Sequence, residues 1–371
     1  MTFSATAAVL DAPGAPFELH EVTLDDPRPH EVVVRMTASG MCGTDLGVRA
    51  GHIPFPLPGV LGHEGAGVVE ATGSRVASVA PGDHVLLTFT SCGTCRHCRS
   101  GHPAYCVEFL PRNVLAGGRA DGSATLHRGG EAVHGHFFAQ SSFATRVLAD
   151  ERGVCPVAPD ADLSLLAPLG CGVQTGAGAV LNVLRPEPGS TLAVFGTGSV
   201  GLSAVMAAAL TGTIRIIAVD LLDSRLELAR DLGATDTVNP RSTDLDEALA
   251  ELTRGEGVTH AVDATGHPGA VAGALRALAH RGTLALVGAP PPGTTADVDL
   301  SHMLHGRRIV GVTEGDSDPR VFLPVLVDLV RQDRMPLEKL VTPYPFADVN
   351  TAAADAEAGT VVKPVLRFDQ G

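Results

Sequence analysis

Four of the chain's seven cysteines, Cys92, Cys95, Cys98 and Cys106, fall within the fifteen residues CGTCRHCRSGHPAYC, at gaps of three, three and eight. Thiols this dense serve as disulfides, redox groups or metal ligands. One loop with this spacing can fold around a single ion and present four thiolates tetrahedrally, a closed structural zinc site with no open position. His97 and His102 lie in the same loop, but four thiolates are sufficient. Such a site pins a loop and carries no reaction.

Cys42, in GMCGTDL, and Cys171, in PLGCGVQTGAG, are far apart, and His63 stands beside Glu64 in GHEGAGVVE. Two thiolates and one imidazole from separate segments make the three-ligand set of a catalytic zinc, whose fourth position stays open for water or substrate. Taken singly, each residue has a plainer reading: a lone Cys is usually a small buried hydrophobe, and a His beside Gly usually sits in a turn. Cys155, in GVCPVAPDA, fits no ligand position and is expected to be a buried thiol. His302 and His305, in LSHMLHG, have helical spacing and are expected to be solvated or at an interface.

A third group of residues suits a dinucleotide. GTGSVG, from Gly196 through Val200 to Gly201, follows the apolar run TLAVF and opens a helix-length segment. Gly196 permits the tight turn, Gly198 lets a pyrophosphate approach the backbone, and Gly201 allows close helix–sheet packing. Asp220 lies nineteen residues beyond Gly201, at the end of the next strand. A carboxylate there accepts hydrogen bonds from ribose hydroxyls and repels a phosphate, so NAD is expected over NADP, with Arg225 able to soften the preference.

Positioning these groups takes two kinds of element. Up to about residue 150 the chain reads as short strands between Gly- and Pro-rich turns. From about Thr191, TLAVFG, IRIIAVD, THAVDAT and TLALVGA alternate with helix-length segments, the pattern of parallel strands with crossover helices. A helical stretch, RVFLPVLVDLVRQDRM, then precedes a tail whose strand-like runs end in KPVLRF. At 371 residues two domains are expected. No apolar run has membrane-spanning length, and the N-terminal stretch lacks a basic segment followed by an apolar one, so a cytoplasmic protein without membrane attachment is expected. The formal charge of −14 argues against nucleic acid as a partner.

GMCGTDL, GHEGAGVVE, the Cys92–Cys106 lobe, GCGVQTGAG, GTGSVGL and KPVLRF occur in this order, and over nearly the whole chain they resemble the zinc-dependent medium-chain alcohol dehydrogenases. Within that family LGCGVQTG, FFAQSSFA and TEGDSDP are most similar to the aryl and allylic types, which act on benzyl alcohol or geraniol. The resemblance implies an α/β protein with a GroES-like, mostly-β catalytic domain over residues 1–172, a doubly wound Rossmann domain over 173–313, and a return segment over 314–371 that completes the first. It implies two zinc ions per subunit, NAD as hydride acceptor, an alcohol/aldehyde pair as substrate, and a homodimer or homotetramer formed near TLALVGAPP. Thr44 would stand beside the reacting oxygen, Asp45 would orient His63, and Glu64 would lie behind the zinc. Thr175 would face the nicotinamide, and Phe137 would line the substrate pocket. The chain departs from many members at Gly43 and Gly47, where a pyrophosphate-contacting side chain and a proton-relay His are common. The first departure implies weaker cofactor binding or another group such as Lys363 in that role, and the second implies His52 as substitute or direct release of the ribose proton to water. Thiol-adduct formaldehyde oxidation and a non-catalytic NAD or zinc sensor are the competing readings. Cys171 disfavours a polyol dehydrogenase, which generally uses Glu as third ligand.

Overall fold

The computed structural model describes residues 3–368. They divide into two compact units, one holding residues up to Cys171 together with Asp318–Asp328 and the segment from Leu337 onward, the other Gly172–Ser317 with Leu329–Pro336.

The first unit is built on two sheets. A five-stranded sheet runs in the order Gly59–Val60, Phe3–Leu10, Phe17–Leu24, Leu126–Arg128, Glu131–Val133. The seven-stranded sheet is centred on Glu31–Gly40, which pairs antiparallel with Glu64–Thr72, with Arg146–Asp150 and with the tail strand Lys363–Arg367. Phe17, Phe137 and Phe143 join Val and Leu side chains of these strands in one apolar core. The register is what matters for chemistry: Gly40 stands opposite both Glu64 and Val365, so the Cys42 turn, the His63 segment and the start of the tail strand meet at one end of the sheet.

The second unit carries six parallel strands in the order Asp236–Val238, Arg215–Val219, Thr191–Phe195, Val258–Asp263, Leu278–Leu286, Arg308–Gly311. The central strands are buried almost end to end, as parallel strands covered by helices on both faces must be. Strand order reverses between Thr191–Phe195 and Val258–Asp263, and at such a switch point doubly wound sheets bind ligands beyond the strand carboxyl ends.

The division differs in three places from the expected boundaries. It falls after Cys171 rather than residue 172, and both Glu314–Ser317 and Leu329–Pro336 belong with the dinucleotide unit instead of the return segment. The reason is close packing: a Cβ on Gly315 would lie 2.3 Å from Gln174 O, and one on Gly178 would lie 2.3 Å from Gly315 O. Thr283–Leu286 of TLALVGAPP lie in the strand Leu278–Leu286, which is flanked on both sides, and Arg308–Gly311 is the edge beyond it. No single described helix is long and apolar enough to cross a membrane.

Candidate active site

Cys42 caps the short helix Gly43–Arg49, and its backbone N–H donates to Asp45 Oδ2 at 2.9 Å. Asp45 is fully buried, and its Oδ1 accepts from Gly62 N at 3.0 Å and lies 3.0 Å from His63 Nδ1. One carboxylate thus ties the Cys42 turn to the segment bearing His63 and directs Nε2 away from itself. Phe138 stacks on the imidazole with centroids 4.4 Å apart, and Phe137 meets it edge-on at 5.3 Å. Cys171 follows the turn Ala167–Gly170, anchored where Thr88 Oγ1 donates to Gly170 O at 2.6 Å. A Cβ at Gly170 would sit 2.2 Å from Leu87 O, so only glycine lets that turn approach the sheet.

The ligand atoms of Cys42, His63 and Cys171 all lie within 4.8 Å of one another. A hydrogen bond from Cys171, aided by Lys363, holds the Cys42 thiol well below its ordinary value against the opposing effect of burial. Burial pulls His63 down, but the charges of Asp45 and Cys42 hold it well above its usual range. The thiolate and Asp45 stabilise a cation on His63, and a metal ion would take the place of the proton on Nε2. His63 Nε2 is moreover a buried nitrogen with no hydrogen-bond partner of ordinary geometry among the described residues. Both observations fit a zinc ion. Thr44 Oγ1 lies 3.9 Å from Cys42 Sγ, beside this set. Asp45→Asn, which leaves one oxygen for three donors, is expected to weaken metal binding here about 10–100-fold. Competition with a chromogenic chelator reads this directly, and unchanged release would remove Asp45 from its orienting role.

Behind the cluster, Lys363 Nζ reaches Glu64 Oε1 and Oε2 at 2.9 and 2.8 Å and Met41 O at 3.0 Å. Lys363 is 2% exposed and Glu64 0%. Lys363 therefore neutralises Glu64 in the interior and is not displayed for a pyrophosphate, correcting the expected role. A Cβ on Gly40 would meet Glu64 Oε2 at 2.1 Å, so this glycine makes room for the carboxylate. His52 is exposed on the turn after the Gly43–Arg49 helix and makes no hydrogen bond to Thr44. The relay end expected of it is not assembled by the described contacts. A Cβ at position 47 would lie 2.9 Å from Ile53 Cδ1, the movable end of that side chain.

Phe137 is fully buried, packed on His63 and Phe55. It shapes the ligand set through the His63 ring. The backbone of the rest of its motif is not legible in the sequence. Phe138, Ala139 and Ser141 adopt left-handed φ of 50°, 53° and 49°, conformations that cost energy for such residues and persist only where surroundings impose them. Gln140 imposes them: it accepts from Gly65 N at 3.1 Å and donates to His63 O at 3.0 Å and Thr88 O at 3.2 Å. His136, just before, is 8% exposed, and burial draws it down to about 4. Its folded value lies below the unfolded 6.5, so stability is intact above 6.5 and falls as pH drops toward 4. By pH 5 the loss reaches about 2 kcal/mol. His136→Phe should flatten urea-midpoint differences between pH 7 and 5; an unchanged slope would assign the effect elsewhere.

Cys92, Cys95, Cys98 and Cys106 gather their sulfurs within 4.8 Å. The Cys95 N–H donates to Cys92 Sγ at 3.3 Å, and the Glu108 N–H to Cys106 Sγ at 3.4 Å. Backbone amides aimed at sulfur stabilise thiolates and fit a closed zinc site. His97 and His102 are outside the cluster. Cys155 is buried apart from both clusters, its thiol pushed up to about 12 by desolvation. His302 Nε2 lies 3.0 Å from Leu275 O, and the His305 ring stacks on His280 at 4.4 Å.

In the second unit Gly196 has φ 85°, and a Cβ on Gly201 would lie 1.8 Å from Gly196 O. A Cβ on Gly198 would meet nothing within 4 Å, the open approach a phosphate needs. Ser199 Oγ, at the first turn of Ser199–Ala209, is buried without a hydrogen-bond partner among the described residues. These features fit a dinucleotide. Asp220 Oδ2 accepts from Thr197 N at 2.6 Å and Thr197 Oγ1 at 2.8 Å, so this carboxylate also braces the glycine loop. Arg225 is only 9% exposed, and burial lowers its pKa while Asp220 opposes that; it offers little to a ribose phosphate, a correction to the softening expected of it. Thr175 is buried, 3.5 Å from Glu314 Oε2.

Residues 28–159 match the Alcohol dehydrogenase GroES-like domain family and residues 199–330 the Zinc-binding dehydrogenase family. Geraniol dehydrogenase of Castellaniella defragrans is 42% identical over 367 residues, 98% of each chain. Among solved structures, benzyl alcohol dehydrogenase from Acinetobacter calcoaceticus superposes with TM-score 0.95 at 44% identity, covering 99% of this chain and 100% of that one. An alcohol dehydrogenase zinc-binding domain protein from Burkholderia ambifaria does so with TM-score 0.97 at 49% identity, covering all of both chains.

Proposed function

Because the chain belongs to the zinc-dependent medium-chain alcohol dehydrogenases, we propose that it transfers hydride between primary aromatic or allylic alcohols and NAD, using one catalytic and one structural zinc per subunit. The observation that carries this reading is the Cys42–His63–Cys171 set, complete and flanked by Thr44 and the Phe137–Phe138 pair. The similarity to geraniol and benzyl alcohol dehydrogenases supports the substrate class.

A zinc ion held by Cys42, His63 and Cys171 supplies Lewis acidity that makes an alcohol proton easier to remove. The nicotinamide supplies the hydride acceptor. The chain's own residues do the rest. Thr44 Oγ1 accepts the alcohol proton and passes it on. Asp45 fixes the imidazole tautomer and rotation. Phe137 and Phe138 hold the ring from two sides and keep water from it. Lys363 cancels the Glu64 charge, so that no uncompensated carboxylate competes with the thiolates for the metal. Asp220 supports NAD over NADP, because a second phosphate would meet its charge.

The ligand thiols require a reducing compartment such as the cytoplasm. The edge strand Arg308–Gly311, with Leu304 86% exposed beside it, supports a homo-oligomer formed through this side of the sheet.

The test is the initial rate of NADH formation against NADPH formation over benzyl, cinnamyl, geranyl, short aliphatic and polyol alcohols, and formaldehyde with a thiol carrier. A clear NAD-linked rate on the aromatic and allylic members is expected. Turnover confined to the thiol adduct would transfer the site to that reaction. Silence across the panel with both zinc ions bound would support a sensor.

A further inference from the structure

Of the three motifs that carry the aryl and allylic resemblance, two, FFAQSSFA and TEGDSDP, contain consecutive left-handed residues. The first wraps His63. In the second, Glu314, Gly315 and Asp316 have φ of 48°, 68° and 48°. Nothing in the Cys42–His63–Cys171 chemistry uses Glu314, yet the chain holds this charged residue 7% exposed in a conformation that costs energy. Strain of this kind persists where the surroundings impose it. Here Gly315 is wedged against Gln174 O and Gly178 Cα, Asn182 Nδ2 donates to Gly315 O at 3.0 Å, and Ser317 Oγ donates to Gln174 Oε1 at 2.7 Å. The result is a carboxylate whose Oε2 lies 3.4 Å from Gln174 Nε2 and 3.5 Å from Thr175 Oγ1. The next residue, Gly176, packs so closely on the start of the dinucleotide helix that a Cβ would lie 2.0 Å from Val200 O. Glu314 is thereby fixed to the helix that abuts the glycine loop.

We propose that the Glu314 carboxylate faces the nicotinamide beside Thr175 and sets how tightly the protein holds the oxidised relative to the reduced cofactor. This rests on the reading that Thr175 faces the nicotinamide. The physical ground is charge. The oxidised ring is cationic and the reduced ring neutral, so a buried negative charge within several Å stabilises the first selectively, whereas shape and hydrogen bonds act on both. Tighter NAD binding relative to NADH makes the bound oxidised cofactor a weaker hydride acceptor and eases release of NADH.

The chain has no Trp, so NADH fluorescence enhancement can be titrated without tryptophan background, and NAD affinity follows by competition. Glu314→Gln removes the charge and keeps the shape. Glu314→Gly removes it and relieves the left-handed backbone, which keeps the measurement available should the first variant fold poorly. In each, the ratio of the NAD dissociation constant to that of NADH is expected to rise at least tenfold, since one charge about 8 Å away at an effective dielectric of about 20 is worth about thirtyfold. An equal loss for both forms would make Glu314 a structural brace, and an unchanged ratio would place its charge away from the ring; either overturns the proposal. Thr175→Val tests the underlying reading separately. It is expected to weaken both forms together, and if neither affinity moves, the placement of the nicotinamide beside Thr175 fails whatever Glu314 does.

Discussion

Replacing Cys171 with Ser lowers kcat/KM for benzyl or geranyl alcohol by about three orders of magnitude, equivalent to about 4 kcal/mol of lost transition-state stabilisation. The substitution is nearly isosteric, and Cys171 is 7% exposed on a turn already anchored through Gly170, so the fold is expected to survive. What changes is the donor. A serine hydroxyl does not ionise at neutral pH, and zinc at a site with one thiolate and one imidazole is held far more weakly than at one with two thiolates. Zinc content measured by elemental mass spectrometry should therefore fall from two ions per chain toward one, with the Cys92–Cys106 ion retained. Full turnover with one zinc per chain would show that the Cys42–His63–Cys171 set is not where the reaction takes place. Cys155→Ser is the control, being a buried thiol outside both clusters, and should leave zinc content at two.

Lys363→Met is expected to lower stability by about 3–5 kcal/mol, because it strands the fully buried Glu64 carboxylate without its counter-ion. In a unit of this size each kcal/mol moves the transition by about 2–4 °C, so the midpoint should drop on the order of 10 °C. The cause is separable by a double-mutant cycle. Glu64→Gln with Lys363→Met removes both charges and leaves groups of similar volume, and most of the loss should return, since it comes from an uncompensated charge rather than from missing contacts. Losses that simply add would mean that the pair is not coupled and that the Lys363 side chain acts through its packing alone. Calorimetry of both single variants and the double variant, with zinc content measured alongside, distinguishes the two.

Glu64 stands out in the sequence for its place beside His63, and Lys363 for its place in the tail. Their partnership is not legible there, because they are 299 positions apart. It exists only because Gly40 stands opposite both Glu64 and Val365 in adjacent strands, a register that no local pattern specifies. The same holds for Asp220. Its distance from the glycine loop marked it for a ribose, but its grip on Thr197 appears only when the ends of Thr191–Phe195 and Arg215–Val219 lie side by side.

The two strained segments were hidden for a different reason. Phe138, Ala139 and Glu314 are residue types that disfavour left-handed backbone, so propensity points away from the conformation they adopt. Tertiary contacts override it, from Gln140 in one case and from the Gly178–Gly315 contact in the other.

The sequence by itself determined the ligand types, the alternation that makes a parallel sheet, and the glycines of the dinucleotide loop, since each is a property of residue type at short spacing. Tertiary structure alone decided which charges cancel, which backbone is strained and which rings enclose His63. These depend on strand register and close packing, where free energy is set by groups distant in sequence and adjacent in space.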